Sequence, residues 1–323
     1  MSPAQVDFLQ LVRRSKLFVP VNREKFLAKA WTRGADCITL DLEDSIPPGE
    51  KDSARKLVKD VLPVVRRGGA EVQVRINREL EAEDLDAIII PGLTGVMIPK
   101  CESAEEIQRL DGMVTRLEGN RGFREGQIQF DLIVETARGI VQMESIASSS
   151  PRVVQISVGA VDLALDMGYT RSADLTFSQF FYPASKLLFA ARAARVQACG
   201  LLPQNNVDFT NISASREAMF QACRNSFMTG YLGTSTIHPA WCEPINEGFK
   251  PSLDEVEKAR RVKDALEEAY RKGLGSIAVD GRMVDVANLK QVNNVLRRAE
   301  AIARREEEKA AALAAAGGIP KNC

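Results

Sequence analysis

The sequence is poor in the residues that several classes of site require. It contains one histidine, His238, and six cysteines without any CxxC pair. A zinc site is disfavoured because such sites draw their ligands from clustered histidine and cysteine. With one histidine, Ser-His-Asp catalysis and histidine-rich metal mechanisms are effectively excluded, so proton transfer must come from a carboxylate, a lysine or water. The scattered cysteines are typical of reduced, mostly buried thiols in a cytosolic protein.

Long apolar runs and an excess of one charge are also lacking. No apolar stretch approaches the ~18 residues that a membrane-spanning helix needs. Residues 1–11 carry Asp7 and have neither a basic segment nor an apolar core, so we expect no secretory signal and a cytoplasmic location. The 43 basic and 43 acidic residues balance. That balance argues against nucleic acid or an anionic membrane as the partner, but it allows a small anionic substrate held by a few local cations.

What the chain does have is an alternation of short apolar runs with longer segments of helical period. This pattern predicts βα units around a parallel sheet, and the continuous apolar runs indicate strands covered on both faces. The eight predicted strands are residues 16–21, 37–44, 71–77, 95–100, 130–136, 153–160, 200–205 and 233–239. Eight repeats in about 240 residues favour a closed (β/α)₈ TIM barrel, predicted for residues 1–248, over an open doubly wound sheet. No GxGxxG follows the first strand, which weakens a dinucleotide-binding interpretation.

After Pro239 the pattern becomes mainly helical. Residues 253–272 predict a charged amphipathic helix that begins at the N-cap Ser252, with Glu255 three positions later. A short unit at 277–285 and a long polar helix at 289–316 follow. We therefore predict a second domain, residues 249–323, as a helical lid or extension that caps its own barrel or a neighbouring one.

Polar residues follow most of the predicted strands. In this fold the chemistry lies at the carboxyl ends of the strands. The residues at these ends are Pro20, Asn22, Glu43, Asp44, Arg75, Asn77, Lys100, Glu135, Asp162, Gln204, Asn205 and His238. Glu135 and Asp162 follow adjacent strands and are the predicted ligands of Mg²⁺, which takes one or two carboxylates and leaves positions for water and substrate. The alternative is that these two carboxylates are helix caps or partners in salt bridges. His238, taken alone, is more often a structural residue.

Several motifs resemble a known family. They are LFVPVNREKFLAKA (17–30), TLDLEDSIPP (39–48), VRIN (74–77), MIPKCES (97–103), VETARGI (134–140), SSSPRVVQISVGAVDLALDMG (148–168) and TIHP (236–239). In this order and spacing they resemble the citrate lyase β-subunit-like branch of the HpcH/HpaI aldolase superfamily, over nearly the whole chain. Within that branch, GRMVDVANLKQ (281–291) and the helix after it look most like malyl-CoA/β-methylmalyl-CoA lyases.

The resemblance implies a role for individual residues. Glu135 and Asp162 would coordinate Mg²⁺, with Mn²⁺ as a possible substitute, and Arg75 would bind the substrate carboxylate and the developing enolate oxygen. Asp285 matches the family's mobile acid/base, which usually acts across a subunit interface of a homo-oligomer, a trimer or a hexamer. The remaining implied contacts are coenzyme A at Phe18, Arg23 and Lys29, substrate at Val161, Asp162, Ile237 and His238, and support of Arg75 and metal-bound water by Glu43 and Asp44.

The implied reaction is reversible cleavage of malyl-CoA or β-methylmalyl-CoA to acetyl-CoA or propionyl-CoA and glyoxylate, through a thioester enolate. No covalent nucleophile is required, and we expect an electrostatic role for Lys100 rather than a Schiff base. Four positions depart from the family pattern: Val21, Val161, Asn205 and Thr234. These departures leave the exact acyl-CoA and 2-oxo acid open.

Alternative functions remain at this stage. In the same family they are a citramalyl-CoA or citryl-CoA lyase and a malyl-CoA thioesterase. More distant alternatives are an aldolase that makes pyruvate enolate without coenzyme A, and a catalytically silent subunit that scaffolds a lyase complex.

Overall fold

The computed structural model describes residues 7–168, 176–203, 207–279 and 281–318. Eight parallel strands lie in the order β7-β6-β5-β4-β3-β2-β1-β8. They are β1 (Ser15–Pro20), β2 (Cys37–Asp41), β3 (Glu71–Arg75), β4 (Gly95–Ile98), β5 (Gln129–Val134), β6 (Val153–Val158), β7 (Gln197–Cys199) and β8 (Thr234–Thr236). A parallel bridge between Cys199 and Gly233 joins the two ends of the sheet. The predicted (β/α)₈ barrel is confirmed.

Helices follow the strands, as in βα units. The first nine are α1 (Glu24–Ala30), α2 (Lys51–Val65), α3 (Glu81–Ile88), α4 (Ala104–Asn120), α5 (Ala137–Ala147), α6 (Ala160–Asp166), α7 (Thr176–Ala194), α8 (Arg216–Thr229) and α9 (Cys242–Gly248). The strand side chains that face these helices form one continuous apolar core with the buried helix faces, which includes Ile38, Val74 and Leu132. The barrel interior also holds a buried ion pair, in which Lys16 Nζ lies 2.5 Å from Asp131 Oδ2.

The observed strands end earlier than the predicted ones. Glu43, Lys100 and Glu135 lie in the loops that follow β2, β4 and β5 rather than within the strands. The prediction for the seventh strand was wrong in position: the pairing occupies Gln197–Cys199, and residues 200–203 lie outside it. Gly200, at φ 151°, lies where the chain leaves the sheet.

The described chain divides into two compact units. The first comprises Arg13–Phe249, residues 7–8 and residues 309–318, and it contains the barrel. In this unit Lys309 Nζ donates to Asp36 Oδ1 at 2.6 Å, and Asp36 also accepts from Arg14 Nε at 2.7 Å.

The second unit comprises Leu9–Val12 and Lys250–Glu308. Its elements are α10 (Leu253–Arg271), the antiparallel pair β9 (Ile277–Val279) and β10 (Arg282–Val284), and the first 23 residues of α11 (Val286–Ala315). The predicted N-cap is confirmed, because Ser252 and Glu255 form a reciprocal capping box. Val262, Leu266 and Val284 form a small apolar cluster in this unit. Among the described helices, none combines the length and the apolar composition that crossing a bilayer requires.

Candidate active site

A cavity of about 970 Å³ opens at the carboxyl ends of the barrel strands. Six of the predicted site residues line it: Phe18, Asp44, Arg75, Glu135, Val161 and Asp162. The part of the lining that comes from α7 and from the chain next to β7 and β8 is largely apolar and includes Phe180, Leu187, Leu201, Leu202 and Tyr231. The cavity therefore has one strongly charged side and one apolar side.

Glu135 lies at the charged side, directly after β5. Its side chain is 3% exposed, and its Oε1 accepts a hydrogen bond from the Lys100 backbone N–H at 2.8 Å. Burial raises the pKa of Glu135 to about 8; the Lys100 N–H opposes this shift, whereas the carboxylates of Asp162 and Glu43 add to it. A buried acid whose pKa is raised by neighbouring carboxylates lies where a bound cation would be stabilising.

Asp162 lies near Glu135 because the backbone at Gly159, three residues before Asp162, passes directly beside the Glu135 side chain. Gly159 is the N-cap of α6, and Asp162 is in the first turn of that helix, where the partial positive charge of the helix N-terminus favours a carboxylate. A Cβ atom at Gly159 would lie 2.1 Å from Glu135 Oε2. Only glycine therefore allows β6 and α6 to pass so close to the Glu135 carboxylate.

Arg75, the last residue of β3, is held by three carboxylates. Its Nε and Nη2 donate to the two oxygens of Asp41 at 2.6 and 2.7 Å. Its Nη1 lies 2.7 Å from Glu43 Oε2 and 3.2 Å from Asp44 Oδ2. These carboxylates raise the pKa of Arg75 against the opposing effect of burial, so the guanidinium is charged at every relevant pH. Its Cζ lies 5.1 Å from the centroid of the Phe18 ring.

Two residues of this site, Asp41 and Gly159, are not among the predicted ones. Asp41 accepts hydrogen bonds from two nitrogens of Arg75. The predicted partners of Arg75 were Glu43 and Asp44, which contact the third nitrogen of the same guanidinium. A carboxylate within a buried parallel strand needs a partner, and Asp41 is paired in register with Arg75. An aspartate inside a predicted buried strand was therefore the sequence signal for this ion pair. Gly159 belongs to the motif at 148–168, and its role depends on a close approach to Glu135 that the spacing of residues in the sequence does not reveal.

Other predicted residues lie outside this cavity in the described part of the chain. The side chains of Arg23 and Ile237 are exposed, and Lys29 is half-buried on α1. His238 is exposed as well, and its Nδ1 accepts from the Ala240 N–H at 3.2 Å. The structure therefore does not bring the predicted coenzyme A cations or the Ile237-His238 pair to the carboxylates.

Asp285 belongs to the second unit. Its Oδ1 accepts from the backbone N–H of Ala287 at 2.8 Å, at the start of α11. Of the four departures, Val21 is fully buried in the barrel core, Val161 is 59% exposed beside Asp162, and Thr234 lines the cavity. Asn205, and Gln204 before it, lie outside the described residues.

The donor set fits a hard divalent cation with an incomplete protein shell. Among the residues described, no group of three or more His, Cys, Asp or Glu side chains is arranged to bind a metal ion by itself. Two carboxylate oxygens facing a cavity are what Mg²⁺ uses when water and substrate fill the other positions. The close contact between Glu135 and Gly159 and the effect of the Asp162 charge on Glu135 agree with that use.

Comparison with known proteins places the chain among lyases and aldolases. Residues 14–239 match the model of the HpcH/HpaI aldolase/citrate lyase family. The citrate lyase subunit beta of Leuconostoc mesenteroides subsp. cremoris is 33% identical over 293 residues, which is 90% of this chain and 94% of that protein. The L-malyl-CoA/beta-methylmalyl-CoA lyase of Rhodobacter capsulatus is 32% identical over 305 residues, which is 90% of this chain and 95% of that protein.

A solved structure is also similar to this chain, in fold and in sequence. Protein CitE from Mycobacterium tuberculosis, in complex with magnesium, acetoacetate and coenzyme A, is similar with a TM-score of 0.68 and 28% identity. The similarity covers 90% of this chain and 99% of that one.

Proposed function

Because the chain belongs to the HpcH/HpaI aldolase/citrate lyase family, we propose that it is a Mg²⁺-dependent carbon–carbon lyase of acyl-CoA thioesters. Its proposed substrates are malyl-CoA and β-methylmalyl-CoA, which give glyoxylate with acetyl-CoA or propionyl-CoA. The observation that carries this proposal is that a carboxylate pair, Glu135 and Asp162, and a fixed guanidinium, Arg75, line the same cavity.

Glu135 and Asp162 would hold the metal ion. Mg²⁺, when bound, supplies positive charge that lowers the pKa of a coordinated hydroxyl and fixes the geometry of a chelating hydroxy acid. The chain's own part is to keep both carboxylates at one point. Gly159 serves this directly, because its missing Cβ leaves the room that Glu135 occupies.

Arg75 would stabilise the negative charge that develops on the thioester oxygen. A planar, permanently charged guanidinium suits an oxyanion, and an orientation fixed before the reaction makes such stabilisation effective. Asp41 supplies that orientation by gripping two nitrogens at 2.6 and 2.7 Å. Glu43 and Asp44 contact the remaining nitrogen, Nη1.

The acyl carbon needs a proton during cleavage and loses one during condensation. Asp285 is the proposed acid/base for this transfer, a task within the reach of a positioned carboxylate. We propose that it is delivered by a neighbouring subunit of a homo-oligomer in the cytoplasm, with residues 249–323 as the lid. Coenzyme A, as part of the substrate, would contact Phe18, Arg23 and Lys29, and the acyl group would lie near Val161, Ile237 and His238.

A second candidate is cleavage of citryl-CoA or citramalyl-CoA. The 33% identity to a protein named citrate lyase subunit beta favours it. The apolar wall of the cavity, with Phe180, Leu187 and Tyr231, could take the additional carbon of such a substrate.

The test is a substrate panel with the purified protein. Malyl-, β-methylmalyl-, citramalyl- and citryl-CoA are each incubated with Mg²⁺ or with EDTA, and glyoxylate, pyruvate or oxaloacetate is measured as its phenylhydrazone. We expect Mg²⁺-dependent glyoxylate from the first two. Release of free thiol without any 2-oxo acid would indicate a thioesterase instead, and no product from any thioester would refute the proposal.

A further inference from the structure

Lys100 has a backbone conformation that is unusual for a lysine. It follows β4 with φ 51°, in the left-handed region that glycine adopts most readily. Such conformations persist where the surroundings fix them, and they concentrate at functional sites. The conformation directs the Lys100 N–H at Glu135 Oε1, 2.8 Å away. Glycine would supply the same N–H with less strain, so the lysine side chain must account for its presence.

The side chain of Lys100 reaches the carboxylates that surround Arg75. Lys100 Nζ donates to Glu43 Oε1 at 2.7 Å, and the second oxygen of Glu43 lies 2.7 Å from Arg75 Nη1. Glu43 is 7% exposed at its side chain and Lys100 is 40% exposed. Lys100 therefore contacts Glu135 through its backbone and Glu43 through its side chain.

This arrangement divides the charge of Glu43 between two cations. Without Lys100, both oxygens of Glu43 would be free to turn to Arg75, whose Nε and Nη2 are already occupied by Asp41. Nη1 already contacts Glu43 Oε2 at 2.7 Å and Asp44 Oδ2 at 3.2 Å, so a second Glu43 oxygen at this nitrogen would leave it less able to donate to an oxyanion in the cavity. With Lys100 in place, Glu43 is tied to the loop that also fixes Glu135.

We propose that Lys100 is a positioning residue, which sets the distance between the carboxylate of Glu135 and the guanidinium of Arg75 by holding Glu43. The proposal rests on the proposed function for the identity of the ligands. It assigns Lys100 no proton transfer and no covalent bond. Its consequence is that loss of the side chain weakens oxyanion binding at Arg75 while leaving the Glu135 end of the site intact.

The test compares Lys100→Gly, Lys100→Met and Lys100→Arg with the wild-type protein. Lys59→Met, which removes an exposed lysine from α2, is the matched control. Mn²⁺ binding is measured by electron paramagnetic resonance, and binding of oxalate, a dicarboxylate analogue of glyoxylate, to the Mn²⁺-loaded protein is measured by calorimetry. kcat and KM are then measured with the best thioester of the panel.

For Lys100→Gly we expect Mn²⁺ affinity within about threefold of wild type, because the backbone N–H is kept. We expect oxalate affinity and kcat to fall by about 10–100-fold, the usual effect of losing a residue that orients a ligand-binding group, with KM for the thioester changed by less than about threefold. Lys100→Met should match it in oxalate binding, and Lys100→Arg should recover part of the loss.

Two results would overturn the proposal. One is wild-type oxalate affinity and kcat in Lys100→Gly. The other is an equal loss of Mn²⁺ binding, oxalate binding and melting temperature, which would make Lys100 merely structural. If the wild-type protein binds Mn²⁺ and oxalate but cleaves no thioester, the proposed reaction fails, and the oxalate comparison still decides the role of Lys100.

Discussion

Replacing Gly159 by alanine tests the carboxylate site with one added methyl group. The backbone at this position has φ −82° and ψ 95°, which alanine can adopt. The new Cβ would nevertheless lie 2.1 Å from Glu135 Oε2 and 2.8 Å from Glu135 Cβ. The substitution therefore displaces the Glu135 carboxylate without deleting any ligand atom.

The size of the displacement sets the expected effect. The Cβ–oxygen distance must open to at least 3.0 Å, so the carboxylate moves by about 1 Å. Metal–ligand distances tolerate about 0.2 Å, and the Mg²⁺ site demands near-ideal geometry. We expect Mn²⁺ affinity to fall about 10–100-fold, and kcat at saturating metal to fall about 100-fold, as a 1 Å misplacement can cause.

The assay pairs metal binding with folding. Mn²⁺ affinity is measured by electron paramagnetic resonance and stability by urea denaturation, with Gly112→Ala as the control because the nearest atom to its added Cβ is Arg116 Nη1 at 3.9 Å. We expect Gly159→Ala to lose about 1–3 kcal/mol, because the Glu135 carboxylate can turn toward the cavity whereas its Cβ, 2.8 Å from the added methyl group, moves only with the backbone. Wild-type Mn²⁺ affinity in a folded Gly159→Ala protein would refute the role of Glu135 as a ligand.

Three further predictions concern the same chemistry. Glu135→Gln and Asp162→Asn should each abolish Mg²⁺-dependent turnover while circular dichroism stays native; retained activity would remove the metal hypothesis. Asp285→Asn should lower kcat by ~10²–10⁴, and mixing it with Glu135→Gln subunits should restore some activity if the lid acts in trans, whereas no recovery would favour a lid on its own barrel. Because the pKa of Glu135 is raised to about 8, protons should compete with Mn²⁺ below that pH. The affinity for Mn²⁺ should therefore rise toward pH 8 and then level off. The free energy of unfolding of the metal-free protein should fall as the pH rises from about 4.5 through 8, because the folded state then holds the Glu135 proton more tightly than the unfolded state does. Glu135→Gln should flatten both pH dependences.

The barrel could be predicted from the sequence because its strands are short apolar runs, buried on both sides. The seventh strand was misplaced for a physical reason. Gln197 is fully buried although it is polar, since its Oε1 accepts from Gln155 Nε2 at 2.9 Å inside the barrel. Leu201 and Leu202, which supplied the apolar signal, line the cavity instead. Hydrophobicity alone does not distinguish a strand from a cavity wall.

The charged part of the site could be predicted to a similar extent. The strand ends identified Glu135, Asp162 and Arg75, because residues after neighbouring parallel strands meet at one rim. The partner of Arg75 was found only in part, since Asp41 lies inside a strand where side-chain direction decides what it can reach. The backbone conformation of Lys100 has no sequence signature, because glycine would be the expected residue at φ 51°.

The closure of the barrel is unequal around its circumference. In the described residues, β7 and β8 are joined by the bridge between Cys199 and Gly233, with flanking backbone hydrogen bonds of 2.9 Å from Gly200 to Gly233 and 3.1 Å from Leu232 to Ala198. Neighbouring strands elsewhere pair over three to five residues. Cys199, Gly200 and Tyr231 also form part of the apolar wall. The shortest strand pairing in the barrel thus borders the apolar wall of the cavity, so this is the part of the cavity where the least sheet pairing opposes a separation of neighbouring strands.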